Sequence, residues 1–328
     1  VIRLALVGPG RWGRILVEAV QGLSEDVVFT RAVARSPAKA ADWAARHGIA
    51  LTDDLDAVLA DPEVDAVVLA TPHSQHAQQI ARVAAAGKDL FCEKPVALTL
   101  AEARAALAAV EAAGIVFLPG HIRRHLPAFA EMARRVAAGE LGRLLHAEGN
   151  MSSDVRVGEV YTPEMWRLAP GESPAGGLAA AGIHVIDLMI HLMGPVATLS
   201  ALSARLVHEI DHDDTTTLMM RFASGATGTV GTQTATAREF RLQVFGARGW
   251  LELRGQNQLT WAPVEGPRTR LTWPAVSMER QELEAFARAI RTRTCHPIPM
   301  REVLGGIAVF EAVPAALAKA SSVSVPSE

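Results

Sequence analysis

The sequence predicts an α/β chain: a parallel sheet with helices on both faces, then an α+β domain with a largely antiparallel open sheet. Three observations predict it. Over the first third, short β-branched runs alternate with alanine-rich segments of helical length, the grammar of βαβ units. Near Pro119 that alternation stops. Beyond Val196, strand-like runs follow one another directly, separated by Ser224-Gly225 and Gly246-Ala247-Arg248-Gly249, which read as tight turns. The domains expected from this are 1–119 and 120–328, with the last helices able to pack back on the first domain.

Each element has a local reason. Strands are expected over 2–7, 27–34, 64–70, 89–92 and 115–118, where apolar and β-branched residues run together as a sheet buried on both faces requires. Helices are expected between them over 11–22, 36–47, 73–86 and 100–113. Ser36-Pro37 puts a capping residue before a proline at the first helical position, and Thr99 with Glu102 forms a capping box. In the second domain a helix over 128–138 stops at Gly139, and a strand follows over 144–149. A Gly- and Pro-rich loop over 163–177 then leads into the most apolar stretch, 176–197. That stretch carries His184, Asp187 and His191, and ionisable groups are costly in a bilayer, so a buried helix is expected rather than a membrane span. Strands over 215–222, 227–232, 241–245 and 250–254 and helices over 278–292 and 302–320 complete the plan.

Composition narrows the function. Hydrophobic residues make up 49% of the 328 and charged residues 20%, a globular balance that excludes a disordered chain. A net charge of −3 and a pI of about 6.4 supply no electrostatic case for nucleic acid or an anionic membrane as partner. The two cysteines, Cys92 and Cys295, make no disulfide framework, and the first residues run into a strand with no charged leader. The expectation is a cytoplasmic protein whose partner is a small molecule. Lysine occurs only at Lys39, Lys88, Lys94 and Lys319, among 32 basic residues, which draws attention to each lysine retained.

Gly8-Pro9-Gly10-Arg11-Trp12-Gly13 closes the first strand and opens the first helix. In such a turn the first glycine permits the bend and the second lets a pyrophosphate approach the backbone. The third lets helix and strand pack closely, and the helix N-terminus offers N–H groups and a positive dipole end. A lone motif of this kind is weak; set in the first turn of a repeated βαβ pattern it points to a Rossmann dinucleotide-binding domain. An acidic residue at the end of the second strand would bind the ribose hydroxyls of NAD, but this chain has Ala34-Arg35-Ser36. Arg35 can pair with a 2′-phosphate and Ser36 can donate to it, which favours NADP(H), with NAD(H) left open as the second cofactor. The competing reading is a merely solvated surface arginine.

Cys92-Glu93-Lys94-Pro95 ends the strand over 89–92, the edge at which ligands of open α/β sheets bind. Lys94 there can donate to a substrate oxygen. Thr71-Pro72-His73 ends the neighbouring strand, and far downstream His184 and Asp187 would share one face of a helix. With these motifs the chain resembles the Gfo/Idh/MocA oxidoreductases over nearly its whole length. The resemblance rests on the glycine loop, Thr71-Pro72-His73 with His76, Glu93-Lys94-Pro95 and Arg123-Arg124. It continues through Gly139-Glu140-Leu141-Gly142, Trp166-Arg167, Gly182-Ile183-His184 with Asp187, and Phe245-Gly246-Ala247-Arg248-Gly249.

The resemblance implies a dehydrogenase or reductase of sugars, cyclitols or related hydroxy and oxo compounds, forming a dimer or tetramer through the C-terminal sheet. It implies Lys94 and His184 as the catalytic pair. It implies cofactor contacts from Gly8, Gly10, Arg11, Trp12, Gly13, Arg35, Ser36, Thr71, Pro72, His73, His76, Glu93, Lys94 and Arg167. Substrate contacts would come from Arg124, His121, Trp166 and Asp187, the last of which could equally anchor its helix. Lys94-Pro95 is a candidate cis peptide. One departure stands out: the family pattern has an aspartate four residues before the histidine, where this chain has Ala180. That substitution keeps two further readings in view, an enzyme for a cyclic diol and a non-catalytic NADP-binding sensor of the same fold.

Several histidine pairs imitate metal spacing. His121 and His125, and His208 and His212, stand four apart, and His73 and His76 three apart, but none has an identified third ligand, so no metal is expected. Cys92 reads as an inert buried thiol, and His191 as a packed, hydrogen-bonded histidine.

Overall fold

A computed structural model of the chain describes residues 1–155, 165–169, 171–173 and 176–326. Of the loop expected over 163–177, residues 163, 164, 170, 174 and 175 lie outside those described. By density of packing the chain divides into two units: Val1–Ile122 with Ser277–Met300, and Arg123–Val276 with the residues from Arg301 on.

The first unit alternates as the β-branched runs require: β1 (Ile2–Val7), α1 (Arg11–Val20), β2 (Val27–Val33), a 3-10 turn (Pro37–Ala40), α2 (Ala41–Arg46), β3 (Ala50–Thr52), α3 (Leu55–Ala60), β4 (Ala66–Leu69), α4 (His73–Ala85), β5 (Asp89–Cys92), α5 (Leu100–Ala113) and β6 (Phe117–Pro119). The six strands pair in parallel in the order β3-β2-β1-β4-β5-β6, with β1, β4 and β5 buried almost throughout. Of the two expected caps the structure keeps one. Thr99 accepts from the Glu102 N–H and starts α5 as a capping box does, whereas Ser36 makes no side-chain cap and the segment after it is split between the 3-10 turn and α2. β3 and α3 carry no clear sequence signal; β3 is a three-residue edge strand, too short for a period-two pattern to show.

The second unit continues through a 3-10 turn (Ile122–His125), α6 (Pro127–Ala137) and β7 (Leu144–Asp154). After the 3-10 turn Trp166–Leu168 comes a π-helical turn (Leu178–Gly182), which runs into α7 (Ile183–Met193). Then come β8 (Val196–Ala204), β9 (Thr215–Phe222), β10 (Thr227–Gln233), β11 (Ala235–Gly246), β12 (Gly249–Arg254), β13 (Gln258–Pro263) and β14 (Thr269–Thr272). With β15 (Val323–Ser324) these make a nine-stranded sheet, antiparallel except where β10 pairs with β7. β9 shows its logic: Thr216, Leu218, Met220 and Phe222 face the core while Thr217, Met219 and Arg221 are exposed. α7 lies close against β7, because Gly149 has no side chain: a Cβ there would stand 2.1 Å from Val185 Cγ1. No described helix is long and apolar enough to cross a membrane.

The two closing helices part company. α8 (Met278–Thr292) belongs to the first unit: Phe286 meets Phe91 and Arg280 Nε donates to the Ala19 carbonyl. α9 (Met300–Lys319) belongs to the second. The division expected at 119/120 leaves the last helices able to pack back on the first domain; α8 does so and α9 does not.

Candidate active site

In the first unit the C-terminal ends of the parallel strands gather the expected motifs at one edge, and the strand order reverses between β1 and β4. Gly8 has φ of +93° and a Cβ there would stand 2.8 Å from the Ala70 carbonyl oxygen; at Gly13 a Cβ would stand 2.4 Å from the Gly8 carbonyl. Both positions need glycine. Gly10 is different, for nothing lies within 4 Å of where its Cβ would be. It precedes an α1 whose first turn has no side-chain cap and no carboxylate. An open approach to uncapped helical N–H groups suits a pyrophosphate, so the residues present fit a dinucleotide. At the end of β2, Arg35 and Ser36 are exposed, and no side-chain hydrogen bond or ion pair engages Arg35 among the described residues.

The ends of β4 and β5 are tied together from within. His76 has no exposure: its Nδ1 lies 2.7 Å from the Pro95 carbonyl oxygen and its Nε2 3.0 Å from that of Thr71. Thr71 Oγ1 donates to Gln79 at 2.6 Å. His73, 4% exposed, opens α4 with its ring 5.9 Å from that of His76. The sequence expectation for both histidines is a cofactor contact. Burial corrects that for His76, whose ring nitrogens both face backbone carbonyls, so it holds the Thr71 and Pro95 turns in place. Glu93, 7% exposed, braces its own turn in the same way. Its Oε1 accepts from Trp12 Nε1 at 2.5 Å and its Oε2 from the Lys94 N–H at 3.2 Å. Gly120 after β6 leaves room for that carboxylate, since a Cβ there would stand 3.1 Å from it. Lys94 follows, half-buried, and the Lys94-Pro95 peptide is cis. His121, beyond β6, is buried.

In the second unit His184 is the second residue of α7 and 8% exposed. The helix before it is not regular. The Ile183 N–H reaches back to the Leu178 carbonyl, five residues away, so Ala180 lies in a widened π turn rather than in a plain α turn above His184. Gly182 allows that turn to sit against β10, because a Cβ there would stand 2.9 Å from Thr232, and Gly177 allows it to pass Thr234 just beyond the strand, where a Cβ would stand 2.4 Å away. Trp166 and Arg167 form one stacked pair, the guanidinium 4.4 Å from the ring centroid.

Arg124 and Asp187 belong together. The sequence expectation places Arg124 at the substrate and leaves Asp187 open between the substrate and an anchor for its helix, and the structure pairs the two with each other. Arg124 Nε and Nη2 donate to the two Asp187 oxygens at 2.8 and 2.7 Å, and Nη1 donates to Glu302 at 2.5 Å. The Arg124, Asp187 and Glu302 side chains are 7%, 4% and 11% exposed. Every nitrogen of the guanidinium is engaged within the unit, which makes it an anchor of α7 rather than a substrate contact. His191 completes the network, its Nδ1 3.0 Å from Glu302 and 3.2 Å from Arg124. Burial raises the Glu302 carboxyl, but hydrogen bonds from His191 and Arg124 and the Arg124 charge outweigh it and hold it down at about 2. Glu302 carries no sequence signal: it stands far from Arg124 in the chain and in no motif.

The acidic loop before β9 is structural. Asp214 accepts from the N–H groups of Leu206, Val207 and His208 at 2.9, 2.6 and 2.9 Å, and His208 Nε2 lies 3.1 Å from Thr234 Oγ1. Among the described residues no group of three or more His, Cys, Asp or Glu side chains is placed to hold a metal ion. Cys92 is buried, and burial and the Glu93 charge push its thiol up.

Two family models match this chain. One, an oxidoreductase family with an NAD-binding Rossmann fold, matches residues 2–121, and the other, the GFO/IDH/MocA C-terminal domain, matches 129–252. Levoglucosan dehydrogenase of Pseudarthrobacter phenanthrenivorans is 30% identical over 275 residues, covering 73% of this chain and 70% of that protein. scyllo-Inositol 2-dehydrogenase (NAD(+)) of Bacillus subtilis is 29% identical over 76% of this chain and 72% of its own. A solved levoglucosan dehydrogenase in complex with NADH and levoglucosan superposes with a TM-score of 0.88 over the full length of both chains, at 24% identity.

Proposed function

Because the chain belongs to the Gfo/Idh/MocA family and is an NAD(P)-dependent oxidoreductase acting on hydroxyl groups, we propose that it is an NADP(H)-preferring dehydrogenase of a small cyclic polyol, sugar or diol. The observation that carries the cofactor reading is the end of β2, where Arg35 and Ser36 are exposed and no carboxylate follows before Asp42. A 2′-phosphate would find a guanidinium and a hydroxyl there, and a NAD ribose would find no acid. The substrate reading is supported by relatives named for levoglucosan and scyllo-inositol, both ring polyols.

The bound nicotinamide supplies the acceptor or donor of hydride at the substrate carbon. This chain's residues do the rest. The Gly8–Gly13 loop and the α1 N-terminus, Arg11 and Trp12 included, hold the pyrophosphate, and Thr71, Pro72 and His73 border it at the end of β4. Lys94 donates to the reacting oxygen and orients it, held in place by Glu93. His184 takes the hydroxyl proton during oxidation and returns it during reduction. Trp166, Arg167 and His121 are the further candidates for contact with cofactor or substrate. Ala180 offers a methyl group where a carboxylate would hold a polyol hydroxyl, which directs preference toward substrates with fewer hydroxyls to satisfy on that side. The same proposal includes a homo-oligomer formed through the second unit's sheet, whose exposed face carries Leu202 and Met219, 70% and 57% exposed.

The test is a titration with NADPH and NADH followed by nicotinamide fluorescence, then turnover with ring sugars, cyclitols and cyclic diols. NADPH is expected to bind at least tenfold tighter, and Arg35→Asp to weaken NADPH about ten- to a hundredfold while changing NADH little, the worth of one charge-assisted pair. Equal loss for both nucleotides removes the NADP(H) preference. No binding of either overturns the proposal.

A further inference from the structure

α8 brings to the first unit a carboxyl group that no motif requires. Glu282 lies on the apolar face of α8, four residues before Phe286, whose ring packs 6.1 Å from that of Phe91. It has no exposure, and neither of its carboxyl oxygens has a hydrogen-bond partner. An ionised carboxylate in that setting would surrender its hydration and receive no donor in return, a far larger loss than a carboxylic acid suffers.

The charged groups whose fields reach Glu282 are Glu93 and Lys94 from the turn after β5, and Glu279 one turn earlier on α8. β5 also ends in the Cys92 thiol. α1 contributes Trp12 to the Glu93 turn, and an indole does not titrate. On β2, Arg31 is held by Asp61 and Glu63. Burial, and then the charges of Glu93 and Glu279, push the Glu282 carboxyl well above the usual carboxylate range against the opposing pull of Lys94.

We propose that Glu282 is a positioning residue for Lys94: a neutral carboxylic acid in the core beside the turn, which leaves Glu93 to hold the Trp12 indole and the Lys94 N–H without a second buried negative charge. Its bearing on catalysis rests on the role given to Lys94 above. Two carboxylates in one water-excluded neighbourhood repel. On the β6 side Glu93 is bordered by Gly120, where a Cβ would stand 3.1 Å from its carboxyl. Ionisation of Glu282 would therefore act on the bonds that Glu93 makes to Trp12 and Lys94, the two links between the glycine loop and the lysine.

The experiment compares the full chain with Glu282→Gln, which keeps the size and the neutrality; should that protein not fold, Glu282→Leu takes its place. The first readout is stability against pH. Since the native carboxyl keeps its proton where the unfolded one, near 4.5, has lost it, the wild-type folding constant falls tenfold per pH unit relative to the variant above that value. The second readout is the Trp12 indole N–H resonance, assigned with Trp12→Phe, followed to alkaline pH. It is expected to move when Glu282 ionises in the wild type and to hold steady in the variant. Parallel stability curves would overturn the neutral state. A Trp12 resonance with the same pH course in both proteins would overturn the positioning role. Neither readout requires cofactor, so a failure of both proteins to bind nicotinamide nucleotides would refute the oxidoreductase reading alone and leave these two measurements standing.

Discussion

Lys94 and His184 have different surroundings, and their substitution is expected to show it. Lys94 follows a buried, doubly engaged Glu93 and is itself half-buried, while His184 opens a helix whose other residues are almost all buried. Lys94→Ala and His184→Ala are expected to lower kcat by about 10²–10⁴, the range of a positioned acid/base group. Thermal unfolding should change little for half-buried Lys94, whereas His184→Ala truncates a buried ring and is expected to lower the melting temperature as well as turnover. A variant with full turnover removes that residue from the mechanism; a Lys94→Ala protein that melts many degrees lower shows a structural role instead. His76 stands at the opposite pole: with its ring between two carbonyls, its substitution is expected to loosen the turns of Thr71 and Pro95 before it touches any chemistry.

At the scale of elements, what decides the position of His184 is how α7 is seated. Three devices seat it: the missing side chain at Gly149, the π turn admitted by Gly177 and Gly182, and the Arg124–Asp187 pair on the next turn of the helix. The first can be tested cleanly. Gly149→Ala would put a Cβ 2.1 Å from Val185 Cγ1, an overlap the helix can relieve only by moving away from β7. A loss of about 1–3 kcal/mol is expected, as for other overpacked cores, with partial recovery in Gly149→Ala/Val185→Ala. Equal stability of Gly149→Ala and wild type in a denaturant titration would show that α7 is not held at that distance.

For the whole molecule the informative variable is acid. Glu302 on α9 has its carboxyl held at about 2, below its ordinary value of 4.5, by Arg124 and His191. A depressed carboxyl stabilises the native state above its unfolded pKa and loses that contribution as protons bind. The contribution is therefore complete above about pH 4.5 and fades as pH falls toward about 2. Glu302→Gln is expected to be less stable at neutral pH and to show a shallower loss between those limits, read from unfolding curves at stepped pH. If the variant and wild type lose stability in parallel across that window, Glu302 is not the linked group. Glu282 has the opposite sign, so the two carboxyls pull the pH profile of the chain in opposite directions.

The sequence by itself determined most of the elements and the glycine turn that follows β1. α5 and α8 and strand β9 end where the pattern ends them, because caps, glycine stops and a period of two are local physics. Gly8 and Gly13 were legible because a backbone that must bend and touch a strand leaves no other residue type there. β3 was too short to carry a period, and Ser36 carried a cap signal that the fold did not use. Only the tertiary structure decided what the ionisable residues face. Arg124 looked like a ligand contact and is enclosed by Asp187, Glu302 and His191, and His76 looked like a cofactor contact and clamps two turns. Glu282 carried one faint sign, an acid on the apolar face of its helix. The physical reason is common to all three: the behaviour of a charged or polar side chain is set by groups brought to it from distant parts of the chain, and chain distance carries no record of that.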